Sequence, residues 1–426
     1  MKYFNPANLA IIACPGGEVF ANEVIEHLCN KYKHSRKQTE EEIAKRYNIT
    51  LEQAALHIDL MNRIVVRGTD SQSGIDKYLH KPFKVPVKFT LFSNGEVKSE
   101  IEESIRGKDV FIFQDVENRY PVKFASGVVD HLSINDHLMI VMVTVDAVRQ
   151  AGAERITLVI PTYPYSRQHK AKGREGLTAS RIGKIFESLG VNQIITLDIH
   201  SRDIMNAFHN MRLENLHASY QIIQTLLQME DILNDDIVVV SPDTGAVDRN
   251  KFYASALKKP LALLYKERDY SKLSKDASSS NISQIRLLGN VQDKTVFMAD
   301  DMLGTGGTLI KGMKLLKENG ARRIICAISL PLFSGDAIAH FDQAYNEGLF
   351  YRLIGTNAVF HEDVVKREWY VNVNITRLFA HVISRLHQNQ SVSSLLDNVA
   401  IINRLVSKTM IPEPQNELPF NGAEGS

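Results

Sequence analysis

The sequence predicts an α/β protein made of two successive series of parallel strands covered by helices, and three observations carry that reading. Short apolar runs at 156–160, 194–197, 237–240 and 323–328 alternate with helix-periodic segments at 134–151, 177–189 and 247–257, the pattern of sheets buried on both faces. At 426 residues and 44% hydrophobic content, the chain is long enough to hold more than one core. The stretch 296–309 reads as strand, glycine-rich loop and helix: an apolar opening, then Asp300 and Asp301, then Gly304, Thr305, Gly306, Gly307 and Thr308, with Leu309, Met313 and Leu316 at helical spacing.

Taken in order, the first strand is expected at 9–14, ended by the turn Pro15-Gly16-Gly17 and followed by a helix over 18–28. From about 30 to 84 the composition becomes charged and helix-favouring, with segments at 39–47 and 51–61, so a helical insertion is expected there, serving packing or assembly or, alternatively, as a binding module. The α/β alternation resumes with a strand at 85–92 and the turn Ser93-Asn94-Gly95, then a strand at 110–113 and the helix at 134–151. A second series opens near Ser219, with a helix through Leu227 and strands at 237–240 and 261–265, and a polar, mobile loop is expected at 272–281. Residues 1–218 and 219–376 then form two α/β domains, a helix within 377–397 packs back on the first, and 411–426 forms a disordered tail.

The charges nearly cancel, with 50 Lys and Arg against 49 Asp and Glu, and no dense basic run is present, which argues for small charged metabolites over nucleic acid. Three cysteines, Cys14, Cys29 and Cys326, lack metal-finger spacing and point to a reducing cytoplasm. The apolar run ending at Cys14 is too short for a signal core, and no stretch has the length of a membrane helix.

The glycine loop aims backbone N–H groups at one point, at the positive end of a helix, and so suits a phosphate carried by a substrate. Asp300 and Asp301 suit the vicinal hydroxyls of a sugar or a divalent cation, so a sugar phosphate offers what the motif can hold. The lysine of a nucleotide P-loop and the GxGxxG spacing are both absent. Other polar groups follow predicted strands, where ligands collect in open α/β sheets: Arg167 and Gln168, Asp198 and His200, Asp243, and Lys266 with Arg268. Arg167 can bind phosphate and Gln168 can read a base; His200 and Asp243 can help position Mg²⁺; Lys266 and Arg268 can neutralise charge in phosphoryl transfer.

The ordered series Phe92-Ser93-Asn94-Gly95-Glu96, Ser104-Ile105-Arg106-Gly107-Lys108-Asp109-Val110, Asn135-Asp136-His137-Leu138-Met139, Pro164-Tyr165-Ser166-Arg167-Gln168, Thr196-Leu197-Asp198-Ile199-His200, Ser241-Pro242-Asp243, Lys266-Glu267-Arg268 and the glycine loop resembles the ribose-phosphate diphosphokinases. That resemblance covers most of the chain, reaches Ser391 to Leu395, and leaves out the insertion and the last thirty or so residues. It implies two phosphoribosyltransferase-like domains, each with a mainly parallel sheet flanked by helices. It also implies transfer of the β,γ-diphosphoryl group of ATP to ribose 5-phosphate, giving 5-phosphoribosyl 1-diphosphate and AMP, with Mg²⁺.

By the same resemblance, Asp300, Asp301, Gly304, Thr305, Gly306, Gly307 and Thr308 hold ribose 5-phosphate, and Arg167 and Gln168 meet ATP together with Phe92, Asn94 and Glu96 of a neighbouring subunit. His200 and Asp243 bear on the metal, Lys266 and Arg268 act on the transferring group, and the assembly is a homo-oligomer built on dimers, up to a hexamer. Three departures stand out. Gly304 occupies a position where many diphosphokinases carry aspartate, which is more like a phosphoribosyltransferase loop; the segment after Gln168 is one residue short; and the region between Gln114 and Asn135 is long. Two other readings therefore remain open, a catalytically weak regulatory homologue bound to an active diphosphokinase and a type I phosphoribosyltransferase.

Overall fold

The computed structural model describes residues 8–65, 83–171, 173–229, 236–268 and 282–410. Two central sheets organise the chain. The first is wholly parallel, in the order β1 (Leu9–Ala13), β4 (Asp109–Phe113), β7 (Arg155–Val159), β8 (Gln193–Leu197), β9 (Arg212–Leu216). The second has seven strands in the order β12 (Ile282–Leu288), β11 (Leu261–Arg268), β10 (Ile237–Ser241), β13 (Thr295–Leu303), β14 (Arg323–Pro331), β15 (Arg352–Thr356), β16 (Tyr370–Val373), and β12 alone runs antiparallel. Central strands such as β4, β8 and β10 are buried along their whole length, as the uninterrupted apolar runs require of strands covered on both faces.

The insertion differs from expectation at its start. Helix α1 (Glu18–Tyr47) runs unbroken for 30 residues, because no glycine or proline interrupts the sequence between Glu18 and Tyr47. Its first half buries Phe20, Ala21, Val24, Ile25 and Leu28, while its last buried residue is Ser35. Asn48, at φ 52°, closes it, and α2 (Leu51–Val65) returns against it with Ala54 and Ile58 facing in. Arg36 ties the pair together by bonding Glu40 at 2.8 Å and Asp59 at 3.1 Å. The chain re-enters beside β1, where Ile11 donates to Phe83 O at 2.7 Å and accepts from Val85 N at 2.8 Å.

A second difference concerns the strand expected at 85–92. It forms β2 (Val87–Leu91) and pairs antiparallel with β3 (Val97–Ile101) as a separate hairpin, outside both central sheets. The alternating half-buried pattern of β2 fits a strand covered on one face, unlike the continuous burial of β4. The hairpin lies on α3 (Ile134–Gln150), whose start is a capping box between Ser133 and Asp136. A further short ribbon, β5 (Val122–Lys123) with β6 (Val129–Asp130), fills the long region before α3. The remaining helices of the first series are α4 (Thr178–Ser188) and, leading into the second, α5 (Ser219–Met229). The second sheet carries α6 (Val247–Leu257), α7 (Gly307–Glu318) and α8 (Ala337–Asn346).

Helix α9 (Thr376–His387) packs on α1, with the rings of Phe20 and Phe379 edge-to-face at 5.1 Å. One polar cluster holds this contact and a second fastens the end of α9 to the first sheet. Glu23 Oε2 accepts from Asn374 Nδ2 at 2.8 Å and Asn357 Nδ2 at 3.1 Å, and Asp109 receives both Arg155, at 2.8 Å, and His387, at 2.9 Å. One buried apolar cluster consequently runs from Leu9 and Phe20 through Ile222 and Tyr253 to Phe297 and Phe379, joining the two sheets. Two short helices, α10 (Ser393–Leu396) and α11 (Val399–Met410), end the described chain, and α11 rests on α5 and α6. The loop expected at 272–281 and the tail expected at 411–426 lie outside the described residues.

Candidate active site between the two sheets

The carboxyl ends of β8, from the first sheet, and of β10 and β13, from the second, meet around a cleft of about 730 Å³. Open α/β sheets present ligand sites at this end of their strands, where helix N-termini and loop side chains converge. Residues 304–309, Asp300 and Asp301 line it, and Arg167, His169, Lys170, His200, Arg202 and Arg249 bring cationic or imidazole groups to it.

The acids lie near the carboxyl end of β13. The strand continues to Leu303, and Met302 and Leu303 still pair with Leu330 and Pro331. Asn250, fully buried on α6, grips this strand by donating to Ala299 O at 2.8 Å and accepting from Ala299 N at 3.0 Å. The acids are therefore held by a side chain far from them in sequence. Gly306 caps α7 with φ +73°, and the first N–H groups of that helix have no partner within it. Such a turn is an anion seat. A Cβ on Gly304 would stand 3.3 Å from Arg167 Nη1, so the arginine of the first series reaches the glycine loop of the second.

The electrostatics separate the two acids. Burial and the neighbouring Asp301 charge push Asp300 upward. Asp301 is buried as well, yet the His200 hydrogen bond at 2.7 Å and the Arg249 guanidinium, 3.9 Å away, hold it below the usual carboxylate range. An ionised Asp301 accepts from His200 Nδ1, which fixes the orientation of the imidazole ring. Asp198, at φ +41°, spans the two series: it accepts from His217 Nδ1 at 2.8 Å, Ala218 N at 3.1 Å and Ser329 Oγ at 2.6 Å. Burial raises its pKa, but the His217 bond, Arg249 and the Ser329 bond together bring it down to about 2.

Of the residues singled out from sequence, Arg167, His200, Asp243, Asp300, Asp301 and Gly304 through Thr308 all line this cleft. Gln168 does not. It is exposed beside Arg167, its backbone bonded to Tyr165 O at 2.8 Å. Phe92, Asn94 and Glu96 form the exposed tip of the β2–β3 hairpin and do not line the cleft of their own chain. Asp243 Oδ1 accepts from Gly245 N and Ala246 N, both at 3.0 Å, so one of its oxygens shapes its own loop.

Lys266 and Arg268 belong to β11, opposite Ile285 and Ile282 of β12, rather than to the loop after it; their side chains lie outside the described part of the structure. The positioning roles of Arg249 and Asn250 were not legible in sequence, and Asp198, read there only as a polar group after a strand, ties the two series together. Arg249 follows Asp243 by a loop and one helical step, a spacing that carries no signal without the fold. Among the described residues no group of three or more His, Cys, Asp or Glu side chains is disposed to hold a metal by itself, and no helix is long and apolar enough to cross a membrane.

Comparison with known proteins places this geometry. A family profile described as the N-terminal domain of ribose phosphate pyrophosphokinase matches residues 69–190, and one described as the phosphoribosyl transferase domain matches 209–364. The chain is 34% identical over 309 residues to ribose-phosphate pyrophosphokinase A of Dictyostelium discoideum, covering 72% of this chain and 88% of that one. It is 35% identical over 308 residues to ribose-phosphate pyrophosphokinase 2 of Schizosaccharomyces pombe, covering 71% and 87%. In Bacillus subtilis a ribose-phosphate pyrophosphokinase is 32% identical over 308 residues, covering 72% and 87%. The crystal structure of phosphoribosylpyrophosphate synthetase from Mycobacterium smegmatis superposes with a TM-score of 0.64 at 24% identity, over 90% of this chain and 99% of that one, and so shares the fold.

Proposed function

The chain belongs to the ribose-phosphate pyrophosphokinase family, whose reaction makes 5-phosphoribosyl 1-diphosphate and AMP, and we propose that the cleft between its sheets is where ribose 5-phosphate and ATP react. The observation that carries this reading is the convergence, in one cleft, of a glycine loop at a helix N-terminus, a pair of acids and a set of cationic groups drawn from both series.

In this reading the N–H groups of 304–308 bind the 5-phosphate, and Asp300 and Asp301 accept hydrogen bonds from the ring hydroxyls. Arg167 binds ATP phosphates, with Gln168 beside it on the adenine. The anomeric oxygen attacks the β-phosphorus of ATP, the bond from that phosphorus to the α-phosphate oxygen breaks, AMP leaves and the hydroxyl proton is released. Lys266 and Arg268 neutralise the charge that builds on the migrating diphosphoryl group, work that is electrostatic rather than covalent.

The residues fit a divalent cation. His200 is oriented by Asp301, and Asp243 stands in the same cleft. His200 and Asp243 would hold Mg²⁺ there, and the ion would supply positive charge against the ATP phosphates. Phe92, Asn94 and Glu96, remote from their own cleft, complete the ATP site of a neighbouring subunit, so the working form is a homo-oligomer built on dimers and reaching a hexamer. The setting is the cytoplasm.

The test is product analysis. Supplied with ATP, ribose 5-phosphate and Mg²⁺, the folded oligomer releases AMP and phosphoribosyl diphosphate in equal amounts. Absence of AMP, with activity appearing only beside a shorter relative, makes it a regulatory homologue. Consumption of phosphoribosyl diphosphate with a nitrogenous base makes it a phosphoribosyltransferase. The cationic and first-series groups of the cleft support the first outcome.

A further inference from the structure

The region between Gln114 and Asn135, long for the family, has no part in the reaction scheme. It leaves the carboxyl end of β4 and crosses to the second series. Asp115 accepts from Phe360 N at 3.2 Å, and the ring of Tyr120 lies against that of Phe360 with centroids 5.1 Å apart. Between these two anchors stands Arg119, whose own carbonyl accepts from His131 Nδ1 at 3.0 Å. Its guanidinium forks: Nη1 donates to Phe333 O, and Nη2 donates to Ser334 Oγ at 2.9 Å.

Those two acceptors belong to the loop after β14, which backs the glycine turn. Leu332 N and Phe333 N donate to Leu303 O at 2.9 and 3.1 Å, and Ser334 N donates to Gly304 O at 3.0 Å. The backbone that enters the glycine turn is thus laid along 332–334. Phe333 holds φ +48°, a conformation that a bulky L-residue keeps only where its surroundings enforce it. Its buried ring stands edge-on to Phe341 at 6.0 Å, and Phe341 is the ring that Gly306 touches. The strained loop is therefore held from both sides, and its outer hold is Arg119, which does not itself line the cleft.

We propose that Arg119 is a positioning residue for ribose 5-phosphate: by fixing Phe333 and Ser334 it keeps the carbonyls of Leu303 and Gly304 in place, and with them the aim of the N–H groups of 304–308 at the 5-phosphate. A backbone anion seat gains from being preorganised, because donors that must be re-aimed on binding cost affinity. The fork needs two N–H donors in one plane, which arginine supplies and lysine does not. The inference rests on reading the glycine loop as the seat of the 5-phosphate.

The experiment is a calorimetric titration of the full-length protein with ribose 5-phosphate, alongside the kinetics of AMP release with each substrate varied in turn and urea unfolding of the same samples. Arg119→Ala is expected to weaken ribose 5-phosphate binding and raise its KM about tenfold, with kcat and the KM for ATP changed less than about threefold. Arg119→Lys should recover part of that loss through Phe333 O, and Ser334→Ala should weaken the sugar phosphate about threefold. Ribose 5-phosphate affinity equal in the wild type and Arg119→Ala overturns the positioning role and leaves the phosphate seat standing. A loss confined to the KM for ATP also overturns it and makes Arg119 a nucleotide-site residue. A wild type that binds no ribose 5-phosphate refutes the seat itself, and the inference falls with it. Should Arg119→Ala not fold, Ser334→Ala decides, since an unchanged ribose 5-phosphate affinity there refutes the proposal.

Discussion

The glycine loop makes a prediction that can be worked residue by residue. Gly306→Ala places a methyl group 2.4 Å from Cε2 of Phe341 at a backbone φ of +73°. Phe341 cannot yield: it is fully buried, with ring neighbours Phe350 at 5.7 Å, Trp369 at 5.8 Å and Phe333 at 6.0 Å. The left-handed conformation costs an L-residue about 1–2 kcal/mol, and overpacking a rigid core costs about 1–3 kcal/mol, so the variant should lose about 2–5 kcal/mol. Gly307→Ala, with nothing within 4 Å and an ordinary helical φ, should be neutral or gain up to about 1 kcal/mol from helix propensity. Gly304→Ala meets only the far end of Arg167 at 3.3 Å, so it should change stability by less than about 0.5 kcal/mol. Urea unfolding followed by the fluorescence of Trp369, the sole tryptophan and a neighbour of Phe341, reads all three on one probe. Gly306→Ala unfolding at the same midpoint as Gly307→Ala, with equal slopes, would refute the assignment of that glycine to a steric role.

Three further outcomes are expected. Asp198 has its folded pKa depressed to about 2, so it contributes stability above the unfolded value near 3.9 and loses it as pH falls through about 2; Asp198→Asn should cost about 2 kcal/mol at pH 7 and flatten the acid limb between pH 4 and 2, which denaturation at both ends of that range will check. Asp301→Asn removes the carboxylate that orients His200 and should weaken divalent-cation binding by about 10- to 100-fold; an unchanged calorimetric titration contradicts it. Lys266→Ala and Arg268→Ala should each lower kcat by about 10²- to 10³-fold with KM altered far less, and a loss appearing only in KM removes them from the transition state.

The local grammar of the chain was written in its sequence. An apolar run, two acids, three glycines and a helical period specify strand, anion loop and helix at 295–318, and the alternation of short apolar runs with amphipathic segments specifies covered parallel sheets. Both signals come from neighbouring residues, whose spacing decides which face is apolar and where the backbone turns. Pairing across long intervals was decided by the tertiary structure. β1 pairs with β4 across the whole insertion, β2 and β3 stand apart from the sheet they precede, and α1 runs on through the expected break. The same holds for the site. His200 meets Asp301, Asp198 meets Ser329 and Arg167 meets Gly304 only because two sheets present their carboxyl ends to each other. A charged residue after a strand reads the same in sequence whether it faces water or a partner a hundred residues away, and burial beside that partner is what sets its ionisation and its chemistry.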